Sequence, residues 1–321
     1  MAQESKIEVS IGKLKFKNPI LLASGPLSNS EKKIMGAAKR GFGGIVTKTV
    51  TLEACEGNPL PRWAFQDFCL VASDGLPNPG CNKMAEIIRS VKGKGSDIPL
   101  IGSVAGTSPE EYAEMAAKLE KAGADAIELN MACPHRGRLV GGPVDEPLGE
   151  YWSRKPERAA SVISMVKSEI RVPLWAKFPS DRPFEVIVAM EKAGADAFVP
   201  FPGVPGMVID IETGRPVLGN IEGSGTIIGK AIKPIGIKIV SELCRRVSAP
   251  VLGTGGVATS DDIIEYLMVG ASAIEMLTQA MMQKFTVEEL ISGVEAFVTR
   301  KNLKNIQEVC GLALRRLPKR E

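Results

Sequence analysis

EKAGADA stands at residues 120–126 and again at 191–197, and a looser copy, LMVGASAIEML, spans 267–277. Each copy joins an amphipathic helical pattern to a short apolar run through a Gly, the residue that most readily ends a helix in the left-handed conformation. Helix, Gly stop and strand, repeated along a chain, describe a parallel sheet with crossover helices. Working outward from the copies, strand-length runs stand at Ile20–Ala23, Ile45–Thr47, Leu100–Ser103, Ala126–Asn130, Leu174–Lys177, Ala197–Pro200, Val251–Gly253 and Ala273–Met276. Most are continuously apolar, as strands covered on both faces are. Eight such strands with helices between them predict an α/β fold, a single (β/α)8 TIM barrel over residues 1–321. The opening IEVSIGKLKF alternates around Gly12-Lys13 and predicts an N-terminal β-hairpin plugging the barrel's bottom.

Two intervals exceed simple connections. Residues 48–99 carry TLEACEGNPLPRW and SDGLPNPG, and residues 200–240 carry PFPGVPGMVIDIETGRPVLGNIEGSGTIIG ahead of a helix expected to start near Lys233-Pro234. Each follows a strand's C-terminal end, the catalytic side of this fold, so both are expected to be long functional loops there.

Composition narrows the function. Of 321 residues, 44% are apolar and 24% charged, with a net charge of +3 and no concentrated basic stripe, so no nucleic-acid partner is expected. No run is long and apolar enough to cross a bilayer, and the opening MAQESKIEVSIG lacks the apolar core of a secretory signal. Six cysteines (Cys55, Cys69, Cys81, Cys133, Cys244 and Cys310) form no CxxC pair, which predicts neither a metal site nor an iron–sulfur cluster of the chain's own. The expected location is cytoplasmic.

Three segments carry chemistry. In ELNMACPHRG, residues 128–137, a strand ends at Asn130 and Cys133 follows above the barrel mouth, where a thiol can exchange a proton with a substrate. Lys48 and Lys177 each close a strand, and two lysines at one mouth predict an anionic ligand, such as a phosphate or a reduced flavin. VLGTGGVATSDD, residues 251–262, places Gly255-Gly256 ahead of a helix starting at Ser260 or Asp261, a pattern suited to a phosphate, with Thr278 closing the other side.

With these segments in place, NPILLASGPLS (18–28), TKTVTLEACEGNPLPRW (47–63), GLPNPG (75–80), ELNMACPH (128–135), LWAKFPSD (174–181), IKPIGIKIV (232–240) and GTGGVAT (253–259) resemble the class 1 dihydroorotate dehydrogenases and the FMN domain of dihydropyrimidine dehydrogenases. The resemblance covers nearly the whole chain, in order. It implies an FMN-dependent oxidoreductase acting on a C–C single or double bond, with hydride passing through flavin N5 and a proton through Cys133. FMN contacts are implied at Ala23, Ser24, Gly25, Lys48, Thr49, Asn130 and Lys177, continuing through Gly229, Gly255, Gly256 and Thr278 to the phosphate. Lys48 is placed beside Cys133 at the reacting centre. His135, the one histidine, is read as a substrate hydrogen-bonding or proton-relay residue there, and Arg136 and Arg138 either as receivers of a substrate carboxylate or as solvated loop residues.

The pattern departs from that family where its pyrimidine is held by asparagines. Ala72 stands six residues before Asn78, His135 follows Cys133 by two, and Phe201-Pro202 ends the sixth strand; of the amide ring Asn130 remains. Lost amides cost recognition of an imide steeply, so the expected substrate is a different, more apolar ring or an enoyl-like compound. Genuine dihydroorotate dehydrogenase or a dihydropyrimidine dehydrogenase subunit is the alternative. A tRNA dihydrouridine synthase, which needs a basic face and a further helical domain, ranks below, as does a non-catalytic electron-transfer barrel. Electrons must also reach a soluble acceptor or a separate iron–sulfur or nicotinamide-linked subunit, and the resemblance implies a homodimer.

Overall fold

The structure, a computed structural model, describes residues 6–133, 148–282 and 285–318. Eight parallel strands run in chain order as Ile20–Leu22, Gly44–Val46, Leu100–Val104, Ala126–Asn130, Leu174–Pro179, Ala197–Phe201, Leu252–Thr254 and Ala273–Met276. Each pairs with its sequence neighbours, the eighth lies beside the first, and a parallel bridge from Phe198 to Val251 joins the sixth to the seventh. That closes the barrel. The expected strands are all present, with ends shifted by a residue or two.

The repeated sequence makes repeated contacts. Gly123, Gly194 and Gly270 adopt φ of 106°, 107° and 101°, a region costly for any residue with a Cβ. In the two full copies, Asp125 Oδ2 accepts from Leu100 N (2.7 Å) and Lys92 Nζ (2.6 Å), and Asp196 Oδ2 accepts from Leu174 N (2.7 Å) and Lys167 Nζ (2.8 Å). Glu120 and Glu191 likewise each accept two backbone N–H groups, from Arg171 and Val172 and from Ser248 and Ala249. Each copy's Asp thus ties the chain back to the preceding barrel strand and helix, and its Glu to the segment that leads into a later strand.

Helix Pro109–Lys121 shows why the helices pack as they do. Ser108 caps it by accepting from Glu111 N (3.1 Å), and Pro109 occupies the first turn, where its missing N–H costs nothing. Tyr112, Met115, Ala116 and Leu119 share one face and are fully buried. Burying each of the large ones contributes about 1.5–3 kcal/mol.

The hairpin Val9–Ile11 and Leu14–Phe16 turns at Gly12 (φ 58°) and brings fully buried Phe16 to 6.3 Å, centroid to centroid, from Trp175 at the start of the fifth barrel strand. The barrel's bottom is filled there, as expected. At the other end the two long excursions are one structure. Val204–Met207, Ser224–Ile228, Leu70–Ala72 and Trp63–Phe65 form a four-stranded antiparallel sheet in that order. Their strands are short and carry Gly206 and Gly225 at close approaches (a Cβ on Gly225 would lie 2.6 Å from Ala72 O), so no alternation announced the pairing.

Candidate active site

The site is built from strand ends. Ala23, Ser24, Lys177, Phe201, Gly229, Gly255, Gly256 and Thr278 line one pocket, together with Ile228 and Glu275. Its floor is the glycine turn after the seventh strand. Gly255 (φ 95°) and Gly256 (φ 72°) need the absence of a side chain twice over: a Cβ would lie 2.3 Å from Pro202 Cγ at the first and 2.6 Å from Lys233 N at the second. The Tyr266 hydroxyl lies 2.7 Å from the carbonyl oxygens of both Thr254 and Gly255 and fixes the turn. Helix Ser260–Met268 then starts from a reciprocal cap between Thr259 and Asp262. Gly25 packs against Leu277, where a Cβ would come within 2.5 Å. A glycine cradle at one end and a buried lysine at the other suit a phosphorylated, electron-accepting cofactor such as FMN.

Beside the pocket runs a chain of hydroxyls. Ser24 Oγ lies 2.9 Å from Thr49 Oγ1, which lies 2.9 Å from Ser103 Oγ, which donates to Glu128 Oε1 at 3.3 Å. Asn130 Nδ2 donates to the same Thr49 oxygen at 3.1 Å. Four of the expected cofactor residues (Ser24, Thr49, Asn130 and Lys177) are therefore joined through Ser103 and Glu128.

Lys177 sits among carboxylates. Its ammonium donates to Glu275 Oε2 at 2.6 Å and lies 3.5 Å from Glu128 Oε1; both Glu side chains are completely buried. Burial alone would push the lysine pKa down, but the two carboxylates outweigh it and hold Lys177 well above its ordinary range. Burial, and next Glu275, push Glu128 well above the usual carboxyl value.

Lys48 has the opposite balance. It is buried, 3.8 Å from Asp74, too long for a hydrogen bond, and desolvation lowers its pKa despite Asp74 and the nearby Cys133. Lys48 faces a second pocket under the excursion sheet, shared with Arg62, Trp63, Asp74 and Asn78. Trp63 Nε1 donates to Asp74 Oδ1 at 2.7 Å and fixes that carboxylate.

Cys133 is half-buried, and its electrostatic contact with Lys48 puts the two together at the mouth. Its loop is pinned from several sides. Asn130 Oδ1 accepts from Ala132 N and Cys133 N (both 3.1 Å), the Tyr112 hydroxyl donates to Asn130 O (3.0 Å), and Ser153 Oγ donates to Met131 O (2.7 Å). Glu150 N closes onto Cys133 O at 3.0 Å, next to Gly149 (φ 56°), where a Cβ would lie 2.4 Å from that carbonyl. His135, Arg136 and Arg138 lie outside the described residues.

The substrate-side positions are dispersed. Ala72 is half-buried within the excursion sheet, between Trp63 and Thr226, and Phe201 lines the glycine-floored pocket instead of the one beneath that sheet. Asn78 spends both ends of its amide on the loop, accepting from Thr51 N and Gly80 N and donating to Thr51 Oγ1 and Leu76 O. Sequence reading passed over Glu128, Glu275, Asp74, Ser103 and Gly149. The signal for the two glutamates was a lone acid inside an apolar strand, AIELN and AIEM. Among the described residues no cluster of His, Cys, Asp and Glu could hold a metal ion, and no helix is long and apolar enough to cross a membrane.

Comparison with known proteins agrees with this arrangement. The sequence profile of the family described as dihydroorotate dehydrogenase matches residues 6–298. A protein of Methanosarcina mazei named dihydroorotate dehydrogenase B (NAD(+)), catalytic subunit, is 37% identical over 303 residues, covering 94% of this chain and 93% of its own. Proteins of the same name from Pyrococcus abyssi (35% over 312 residues; 96% of this chain, 99% of its own) and Thermococcus kodakarensis (34% over 313 residues; 97% and 99%) match over similar lengths. With a family match across most of its length and relatives above 30% identity end to end, the chain belongs to the dihydroorotate dehydrogenase family, oxidoreductases acting on CH–CH groups.

Proposed function

We propose that this chain is the FMN-binding catalytic subunit of a dihydroorotate dehydrogenase, with Cys133 as its acid/base. The observation that carries the reading is the convergence of Ser24, Lys177, Gly229, Gly255, Gly256 and Thr278 on one pocket, with the Cys133 loop anchored through Asn130 and Thr49 to its edge. The relatives' names favour dihydroorotate over the different ring expected from Ala72 and Phe201.

FMN, held here, supplies the hydride acceptor. The chain's own residues do the rest. The glycine turn and Thr278 would receive its phosphate, and Lys177 would stabilise negative charge on the bound group. Asn130 holds Cys133 in place, Lys48 favours the thiolate by its charge, and the thiolate takes the substrate proton. His135 serves the substrate side as a hydrogen-bonding or relay group. The relatives' designation as catalytic subunits supports a separate electron-transfer subunit carrying the iron–sulfur or nicotinamide-linked groups. We further assign a cytoplasmic location and a homodimeric core.

A second reading, a substrate other than dihydroorotate, is favoured by one feature: Asp74 faces Lys48 and competes with any substrate carboxylate for that ammonium. Visible absorbance of the purified protein under anaerobic conditions, before and after dihydroorotate, decides between them. Prompt bleaching of a flavin band is the expected result. A band that persists with dihydroorotate selects the second reading, and protein that neither carries nor takes up FMN overturns both.

A further inference from the structure

Three charged groups meet inside the barrel behind the cofactor pocket, and their charges do not cancel. Glu128, Lys177 and Glu275 come from the fourth, fifth and eighth strands, and both carboxyl side chains are shut off from water. Two carboxylates against one ammonium would leave a net negative charge in the interior, which is very costly to bury. The hydrogen bonds point the same way. Lys177 satisfies Glu275 Oε2, and Ser103 with Lys177 satisfies Glu128 Oε1, yet Glu128 Oε2 and Glu275 Oε1 are buried with no donor. Lys177 is the cation paired with both carboxylates, at 3.5 Å from Glu128 and 2.6 Å from Glu275.

We propose that Glu128 and Glu275 hold one proton between them, so that with Lys177 they form a neutral proton store that takes up a second proton when negative charge enters the pocket. The first proton gives the unpartnered oxygens a donor and removes the excess charge together. The desolvation that raises Glu128 acts in the same direction. The second proton follows from Coulomb's law at short range: an anion beside Lys177 adds its own negative potential to the site, which favours a further positive charge there. The route for the proton is the hydroxyl chain from Glu128 through Ser103 and Thr49 to Ser24 at the pocket, each link at 2.9–3.3 Å. The proton comes from solvent and no bond to carbon changes. The coupling to flavin reduction rests on the FMN reading above; the shared proton does not.

The test is infrared spectroscopy of the purified protein at neutral pH, with and without FMN, in H2O and D2O. Wild type is expected to show the carbonyl band of a buried, protonated carboxylic acid that shifts in D2O, and Glu128→Gln and Glu275→Gln are each expected to lose it. Two variants are used so that misfolding of one leaves the other as the readout. Absence of the band in wild type, or its survival in both variants, overturns the proposal. The second readout is the pH dependence of the bound flavin's midpoint potential, expected to flatten in the double variant Glu128→Gln/Glu275→Gln, which keeps no carboxylate to take up the proton that wild type gains on reduction. Identical pH dependence in variant and wild type overturns the coupling. Protein that binds no FMN but keeps the band sinks the functional reading and leaves the proton pair standing, whereas FMN-loaded protein without the band does the reverse.

Discussion

Lys48 follows the second barrel strand by two residues and Lys177 lies inside the fifth, both are nearly shut off from water, and both came from the same sequence signal, a lysine after an apolar run. Their surroundings differ in kind. Lys177 is clasped by two completely buried carboxylates, one at 2.6 Å, and its positive charge is fixed. Lys48 has a single carboxylate at 3.8 Å, partly exposed and already bonded to Trp63, and its positive charge is held against desolvation. Burial of a cation is therefore not one condition. The first lysine is an electrostatic constant of the glycine-floored pocket, and the second is a responsive charge placed beside Cys133.

The largest effect that can break this contrast lies on the Lys48 side. Cys133→Ala is expected to lower turnover by roughly 10²- to 10⁴-fold, the usual contribution of a positioned acid/base, with FMN binding unchanged. Steady-state rates with dihydroorotate check it. Unchanged turnover would mean that Cys133 is not the acid/base and would leave Lys48 with no thiolate to serve.

Next is Lys177→Met, which strands Glu128 and Glu275 with no cation and is expected to cost about 3–5 kcal/mol of stability near neutral pH. Urea unfolding of the apoprotein measures this, and the loss should shrink as the pH is lowered and the carboxylates are protonated. A loss that does not depend on pH would mean that packing, not charge, sets the role of Lys177.

The repeat offers an internal control at smaller scale. Asp125→Ala and Asp196→Ala remove equivalent bonds to a strand N–H and a helix lysine. Each is expected to cost about 1–3 kcal/mol, and the two should agree closely in the same unfolding assay. A large difference would mean that matching sequence does not give matching energetics.

The barrel was legible because its signals are local. EKAGADA sets helix end, turn and strand within seven residues, the other strands show as short apolar runs, and IEVSIGKLKF marks the hairpin by its alternation around Gly12-Lys13. Cys133, Lys48 and the Gly255-Gly256 turn could be placed for a related reason: each follows closely on a strand's end, where position in this fold implies side, whereas Lys177, read as closing its strand, lies inside the strand Leu174–Pro179. What escaped is non-local. Glu275 meets Lys177 across 98 positions and Ser103 meets Thr49 across 54, so no window of sequence contains either pair. The excursion sheet was missed likewise, because Leu70–Ala72 finds its partner at Ser224–Ile228 and neither strand alternates on its own. Ala72 and Phe201 are given one role by alignment, and the structure sets one in a sheet and the other in the glycine-floored pocket.

The finest test compares the lysines by the sign of their pH dependence. Lys48 titrates in the folded protein below its ordinary 10.5, so between those two values the unfolded chain binds more protons and stability rises with pH. Lys177 titrates above its ordinary value in the folded protein, so its contribution is fully present below that value and is lost only as pH rises through the folded one. Lys48→Met should therefore remove a positive slope, at most about 1.4 kcal/mol per pH unit, from the stability profile on the acid side of 10.5. Lys177→Met, compared over the same interval, should remove none. Urea unfolding at closely spaced alkaline pH values supplies both profiles. If the two variants change the slope alike, the carboxylates around Lys177 do not distinguish it from Lys48, and the division between a fixed and a responsive lysine fails.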